Sequence, residues 1–238
     1  MCIRDRLFVG RLMWYKGIKI ILDALARLKS QGLDFKMVFV GGGMDMEEIE
    51  KYSESAGLTE KVIFTGPIND RQLLRKYFCM GDLFLFPSTF DTNGLVVREA
   101  AACALASVLI EGSAAAEGIT HNVTGFLCQE DHVSFAAAVK GALSNMPALK
   151  TVGENAQRHI YISWDDSVKK ARDRYMTVIE NYRLRGSSGR KKLRSDDVFE
   201  FIGNMNRLLD RLREAGDKAG GDLKKTESFF RELLNRIK

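Results

Sequence analysis

Leu7-Phe8-Val9-Gly10-Arg11-Leu12-Met13-Trp14-Tyr15-Lys16-Gly17, running on into Ile18-Lys19-Ile20-Ile21-Leu22, is the stretch on which the fold turns. A short apolar run ends at a glycine, a loop with two cations follows, and a second glycine opens a segment of helical period. In that segment Ile18, Ile21, Leu22, Leu25 and Leu28 recur at three- and four-residue steps, the signature of one helix face over residues 17–30. The same unit returns along the chain. Strand-length apolar runs are read at 35–40, 62–64, 83–86, 107–110 and 125–127, and helices at 44–56, 70–80, 94–103 and 133–144. Residues beyond Pro147 read as all helical to about Tyr182.

The strand runs are continuously apolar, not alternating, so the sheet they form is covered on both faces. Strand–helix alternation then predicts an α/β fold with a doubly wound parallel sheet. In such a sheet ligands sit beyond the carboxyl ends of the strands, where every glycine-rich or charged loop of interest here falls. The chain of 238 residues is 45% hydrophobic and 28% charged, enough for a substantial core. It has no run near the roughly 18 apolar residues of a spanning helix, and residues 1–6 hold no apolar signal core. Four scattered cysteines (Cys2, Cys79, Cys103 and Cys128) without C-x-x-C spacing fit a reducing, cytoplasmic compartment. Cys79 and Cys103 lie among apolar neighbours and are expected to be buried.

Charge is unevenly distributed. Residues 1–185 hold 23 Lys and Arg against 22 Asp and Glu, whereas residues 186–238 hold 13 against 9. The polar run from Arg185 to Lys192 is the best domain boundary, dividing a domain at 1–185 from a basic helical tail at 186–238. Two amphipathic stretches in the tail, one through Val198, Phe201, Met205 and Leu209 and one through Phe229, Phe230 and Leu234, predict a helical hairpin. The tail's surplus charge reads as a solvated surface, with peripheral membrane contact the lesser reading and no nucleic-acid partner expected.

Two loops carry chemistry. Arg11 and Lys16, five residues apart with glycines at either end, can converge on one anion beside a helix N-terminus, although loop cations are commonly just solvated. Pro87-Ser88-Thr89-Phe90-Asp91-Thr92-Asn93-Gly94-Leu95-Val96-Val97-Arg98-Glu99 also follows a strand and opens a helix. Carboxylates such as Asp91 and Glu99 accept hydrogen bonds from sugar and ribose hydroxyls; equally, Asp91 could cap the helix and Glu99 be a partnered acid.

Six pieces in order resemble the C-terminal domain of family-4 retaining glycosyltransferases of GT-B fold. They are Phe8-Val9-Gly10-Arg11-Leu12 with Lys16-Gly17, Phe39-Val40-Gly41-Gly42-Gly43, Val62-Ile63-Phe64-Thr65-Gly66, Pro87-Ser88, Asp91-x7-Glu99-Ala100, and Thr124-Gly125-Phe126-Leu127. The resemblance covers about residues 7–183 and implies a Rossmann-like fold. It implies that Arg11 and Lys16 hold the diphosphate of a nucleotide-sugar donor, that Asp91 faces the donor sugar, and that Glu99 binds the ribose. Backbone amides around Thr92, Asn93, Gly94 and Leu95 would touch sugar and phosphate, and Gly66 and Ile68 would lie beside the base. Arg11, Lys16 and Asp91 would then carry the chemistry. Asp91 stands where the family has Glu, one methylene longer, and the Asp91–Glu99 segment resembles bacterial members that glycosylate lipids. The donor implied is a UDP-sugar, with no cofactor.

Bond breaking at the anomeric carbon places negative charge on the departing diphosphate, which two fixed cations and a helix N-terminus stabilise. With no Asp-x-Asp motif, the expectation is metal-independent transfer. His121, His132 and His159 lack metal-ligand spacing, Gly41-Gly42-Gly43 reads as a tight turn, and Arg71, Arg75 and Lys76 read as a solvated helix face. Glu111 and Glu117 are minor candidates for the donor pocket. Nothing of domain size precedes residue 8, and residues 1–6 resemble translated adapter sequence, so truncation of a longer enzyme is expected, with catalysis needing the missing N-terminal domain. The alternatives are a non-catalytic nucleotide-sugar-binding module and a GT-B sugar-nucleotide epimerase fragment. The acceptor, a membrane lipid or a glycan, is not legible.

Overall fold

Six parallel strands in the order β3-β2-β1-β4-β5-β6 form the centre of the computed structural model, which describes residues 5–185 together with Gly203, Asn204 and Arg207. The strands are β1 (Asp5–Val9), β2 (Lys36–Val40), β3 (Val62–Phe64), β4 (Leu83–Phe86), β5 (Ser107–Ile110) and β6 (Phe126–Cys128). Between and after them run α1 (Ile18–Ser30), α2 (Met46–Ser55), α3 (Arg71–Met80), α4 (Leu95–Ala102), α5 (His132–Ser144), α6 (Met146–His159) and α7 (Trp164–Arg185). The predicted doubly wound α/β sheet is therefore present. With the right-handed crossovers that parallel strands almost always take, this strand order puts α1 and α2 on one face and α3 and α4 on the other. Helix α5 packs on α1, and α6 on α4.

The apolar runs became strands because both faces needed covering: every residue of β4 and β5 is buried. A stacked aromatic ladder ties the sheet together, with Phe8–Phe86 centroids at 5.8 Å, Phe39–Phe64 at 5.1 Å and Phe84–Phe86 at 5.7 Å. Each such pair adds about 0.5–1.5 kcal/mol beyond its burial. The buried face of α1 consists of Ile18, Ile21, Leu22, Ala24, Leu25 and Leu28, the periodic set with one alanine added.

Strand β1 begins at Asp5, not Leu7, because its backbone pairs with Lys36 and Met37 whatever the side chains are. Arg6 is fully buried there, its guanidinium 4.9 Å from the Phe35 ring centroid. Cys79 is exposed, because α3 buries only Phe78 and leaves most of its other side chains toward solvent, and Cys103, just past the end of α4, is half-buried. Cys128 is the buried thiol.

The described residues fall into two compact units, the first ending at Lys169 and the second starting at Lys170, inside α7. The expected boundary at 185–186 and the tail hairpin lie outside the described residues, apart from the three named above. Among the described residues no helix is long and apolar enough to cross a membrane.

Candidate functional site

In the strand order 3-2-1-4-5-6 the connections run outward in opposite directions from β1 and β4, so the loops beyond their carboxyl ends part and leave a crevice. The two loops singled out from sequence are the loops at that point. They line one cavity of about 430 Å³ with Arg11 and Lys16 on one side and Asp91, Thr92, Asn93, Gly94, Leu95 and Glu99 on the other. Of the ten candidate residues, these eight converge. Ile68 lines a neighbouring groove of about 590 Å³ between α3 and α4, which also takes in Glu99. Gly66 reaches neither; its carbonyl accepts from Gly41 N at 3.0 Å and so braces the glycine turn.

That turn supports the site indirectly. Leu12 N donates to Gly42 O at 3.0 Å and Gly10 N to Val40 O at 3.0 Å, holding the Arg11 loop against the end of β2. A Cβ on Gly41 would lie 1.9 Å from Gly10 O, and one on Gly43 2.1 Å from Leu12 O, so no side chain fits between the two loops. Gly17 links the other pair of loops. It adopts φ 74°, and a Cβ there would meet Pro87 O at 2.6 Å. The glycines are thus where three loops touch backbone to backbone.

Lys16 sits on a single 3-10 turn (Trp14–Lys16) and is only 8% exposed. Its Nζ donates to both Asp91 carboxylate oxygens at 2.9 Å. Capping of α4 by Asp91, the alternative left open by sequence, does not occur. Gly94 is the N-cap, in the left-handed conformation, and no side chain bonds the first turn. Helix α1 likewise starts at Gly17 without a side-chain cap, whereas Asp70, Asp131 and Asn145 cap α3, α5 and α6. The helices that begin at the cavity therefore keep free N–H groups and a positive field toward it. Arg11 is exposed at the rim, and Glu99 is exposed where cavity and groove meet.

Several contacts were not legible. Arg98 Nη1 donates to Ile160 O at 3.0 Å and Nη2 to Asn93 Oδ1 at 3.4 Å, anchoring the site loop to the end of α6. Arg71 and Arg75 are exposed, as read, yet they line the groove beside Glu99 with Asn69 and Tyr161. Glu117 lines a separate hollow and Glu111 accepts from Gln129 Nε2 at 3.0 Å; neither lines the cavity. Among the described residues no three His, Cys, Asp or Glu side chains group as metal ligands.

The pattern of the family described as glycosyl transferases group 1 matches residues 4–159. An uncharacterized glycosyltransferase of Methanocaldococcus jannaschii is 29% identical over 177 residues, covering 73% of this chain and 45% of that protein. Anabaena HepE, solved in complex with UDP and glucose, is 26% identical with a TM-score of 0.58, covering 66% of this chain and 43% of its own. The C-terminal domain of a Francisella tularensis glycosyl transferase group 1 protein, 22% identical with a TM-score of 0.60, has the same fold over 66% of this chain and 84% of its own. The chain spans less than half the length of the curated relatives it matches. The family match covers well over half of the 238 residues, including both site loops, and the chain belongs to the glycosyl transferases group 1 family.

Proposed function

We propose that the cavity between the β1 and β4 loops binds a nucleoside-diphosphate sugar, and that the chain is the donor half of a retaining glycosyltransferase of the family-4 kind. The observation that carries this is the convergence of Arg11, Lys16, the uncapped α4 N-terminus, Asp91 and Glu99 at the switch point of the sheet. Arg11, Lys16 and the first-turn N–H groups take the diphosphate. Asp91 and the backbone from Thr92 to Leu95 face the sugar, Glu99 accepts from the ribose hydroxyls, and the base extends past Ile68 into the α3–α4 groove.

Charge develops on the diphosphate oxygen as the anomeric bond breaks. Fixed cations and a preorganised helix end stabilise that charge without reorganising, the role a divalent ion has elsewhere. We therefore read the transfer as metal-independent. UDP is the donor nucleotide favoured by the likeness to HepE, which binds UDP and glucose. Transfer itself needs an acceptor-binding domain across the cleft. A lipid acceptor, reached from the cytoplasmic face of a membrane with the basic 186–238 tail as a peripheral contact, is supported by the Asp91–Glu99 segment and by that tail's charge.

Titration calorimetry of the folded 238-residue chain against UDP-, GDP- and ADP-glucose tests the reading. Saturable binding of at least one, lost on Arg11→Ala or Lys16→Ala, is expected; binding of none overturns the assignment.

A further inference from the structure

The cation expected to hold a diphosphate is already occupied. Lys16 Nζ lies 2.9 Å from both oxygens of Asp91, with the two side chains 10% and 22% exposed. The residues just before them also touch: the Tyr15 and Phe90 rings meet edge-on at 5.7 Å, and Lys16 Nζ lies 5.2 Å from the Tyr15 centroid. Tyr15-Lys16 on the β1 loop and Phe90-Asp91 on the β4 loop thus form a two-part clasp, one half aromatic and one half ionic. The aromatic half stands at the surface, Phe90 being 75% exposed, while the ionic half lies inside the cavity.

We propose that Asp91 is an intramolecular competitor for the diphosphate, positioned so that the site favours nucleotide sugar over bare nucleoside diphosphate. This rests on the donor reading above. Any diphosphate must share or take Lys16 from a carboxylate that holds it at both oxygens, and two anions at one cation repel. A carboxylate released into a partly buried cavity then needs new donors, since an unpaired charge there is costly. Sugar hydroxyls are such donors, so a sugar-bearing ligand lets Asp91 exchange Lys16 for hydroxyl groups. A bare diphosphate brings none, so Asp91 returns to Lys16 and opposes its retention. After transfer, the spent nucleotide is the ligand the clasp expels. The aromatic half needs no opening in this exchange and keeps the two loops in register.

The test compares UDP with UDP-glucose by calorimetry on the full chain, in wild type, Asp91→Asn and Lys16→Ala. Removing the Asp91 charge is expected to tighten UDP by about tenfold, the scale of one partly buried charge pair, while UDP-glucose gains less or weakens. The UDP-glucose to UDP affinity ratio therefore falls in Asp91→Asn. General damage to the fold would weaken both ligands and leave the ratio alone; Asp91→Glu, which keeps the charge, should keep the preference for UDP-glucose. If Lys16→Ala weakens UDP but Asp91→Asn leaves the ratio unchanged, the site stands and the competitor is disproved. If wild type binds neither ligand, the donor reading falls and takes this proposal with it.

Discussion

The cavity at the β1–β4 crevice and the groove between α3 and α4 meet at Glu99, yet they are built in opposite ways. In the cavity the functional groups are pinned. Lys16 is nearly buried and ion-paired, Gly17 abuts Pro87 backbone to backbone, and Asn93 is tied through Arg98 to Ile160. In the groove, Asn69, Arg71 and Arg75 are exposed side chains on or beside one helix. On the donor reading proposed above, preorganisation concentrates where charge would be stabilised, since a fixed dipole or cation costs no reorganisation during reaction. Recognition of the rest of a ligand can be left to side chains that adjust on binding.

Substitutions that strike the pinned side should cost most. Gly17→Ala places a Cβ against the Pro87 carbonyl at positive φ, and should destabilise the chain by about 2–4 kcal/mol in thermal or urea unfolding and abolish UDP binding. Arg11→Ala and Lys16→Ala should each weaken UDP by about 1.5–3 kcal/mol in calorimetry, the range of a charge-assisted contact. At the junction, Glu99→Ala should cost about 1–2 kcal/mol, and in that variant 2′-deoxy-UDP should lose little further, a coupling that a double-mutant cycle reads directly. On the adaptable side, Arg75→Ala should change UDP affinity by less than about 1 kcal/mol; a larger loss would mean the groove is as fixed as the cavity.

The thiols offer the gentlest probe. Burial, then a hydrogen bond that the Cys103 thiol donates to Cys79, pushes Cys103 up to about 11, and burial pushes Cys128 up to about 12. Alkylation at pH 8 followed by mass spectrometry should therefore modify exposed Cys79 ahead of Cys103 and Cys128. The folded chain holds these protons at a pH where the unfolded chain has begun to lose them. Stability should accordingly fall as pH rises from about 9 toward 12, and Cys128→Ser should flatten that slope.

The fold was almost wholly legible because its strands are buried on both sides and announce themselves as unbroken apolar runs. Where burial depends on partners distant in sequence, the reading failed. Arg6 gave no sign of being a strand residue covered by Phe35, and Cys79 sat among apolar letters on a helix that turns them outward. The site followed the same logic. Loops Arg11–Lys16 and Asp91–Glu99 could be placed at strand ends, hence near one another. The ion pair between Lys16 and Asp91, 75 residues apart, depends on the switch in strand order, which no local pattern encodes. Likewise Arg71 and Arg75 read as an ordinary charged face, because the groove exists only once α4 stands beside α3.

One feature of the sheet bears on handling the molecule. Both of its outer strands, β3 and β6, are only three residues long. An edge offers unpaired amides and carbonyls to any second chain, and the hazard grows with the length of ladder that can form. Val62–Phe64 and Phe126–Cys128 leave room for little more than one repeat of such pairing. Self-association by strand addition should therefore be weak even at the high concentrations that calorimetry requires, so titration heats report the ligand and not the assembly of copies.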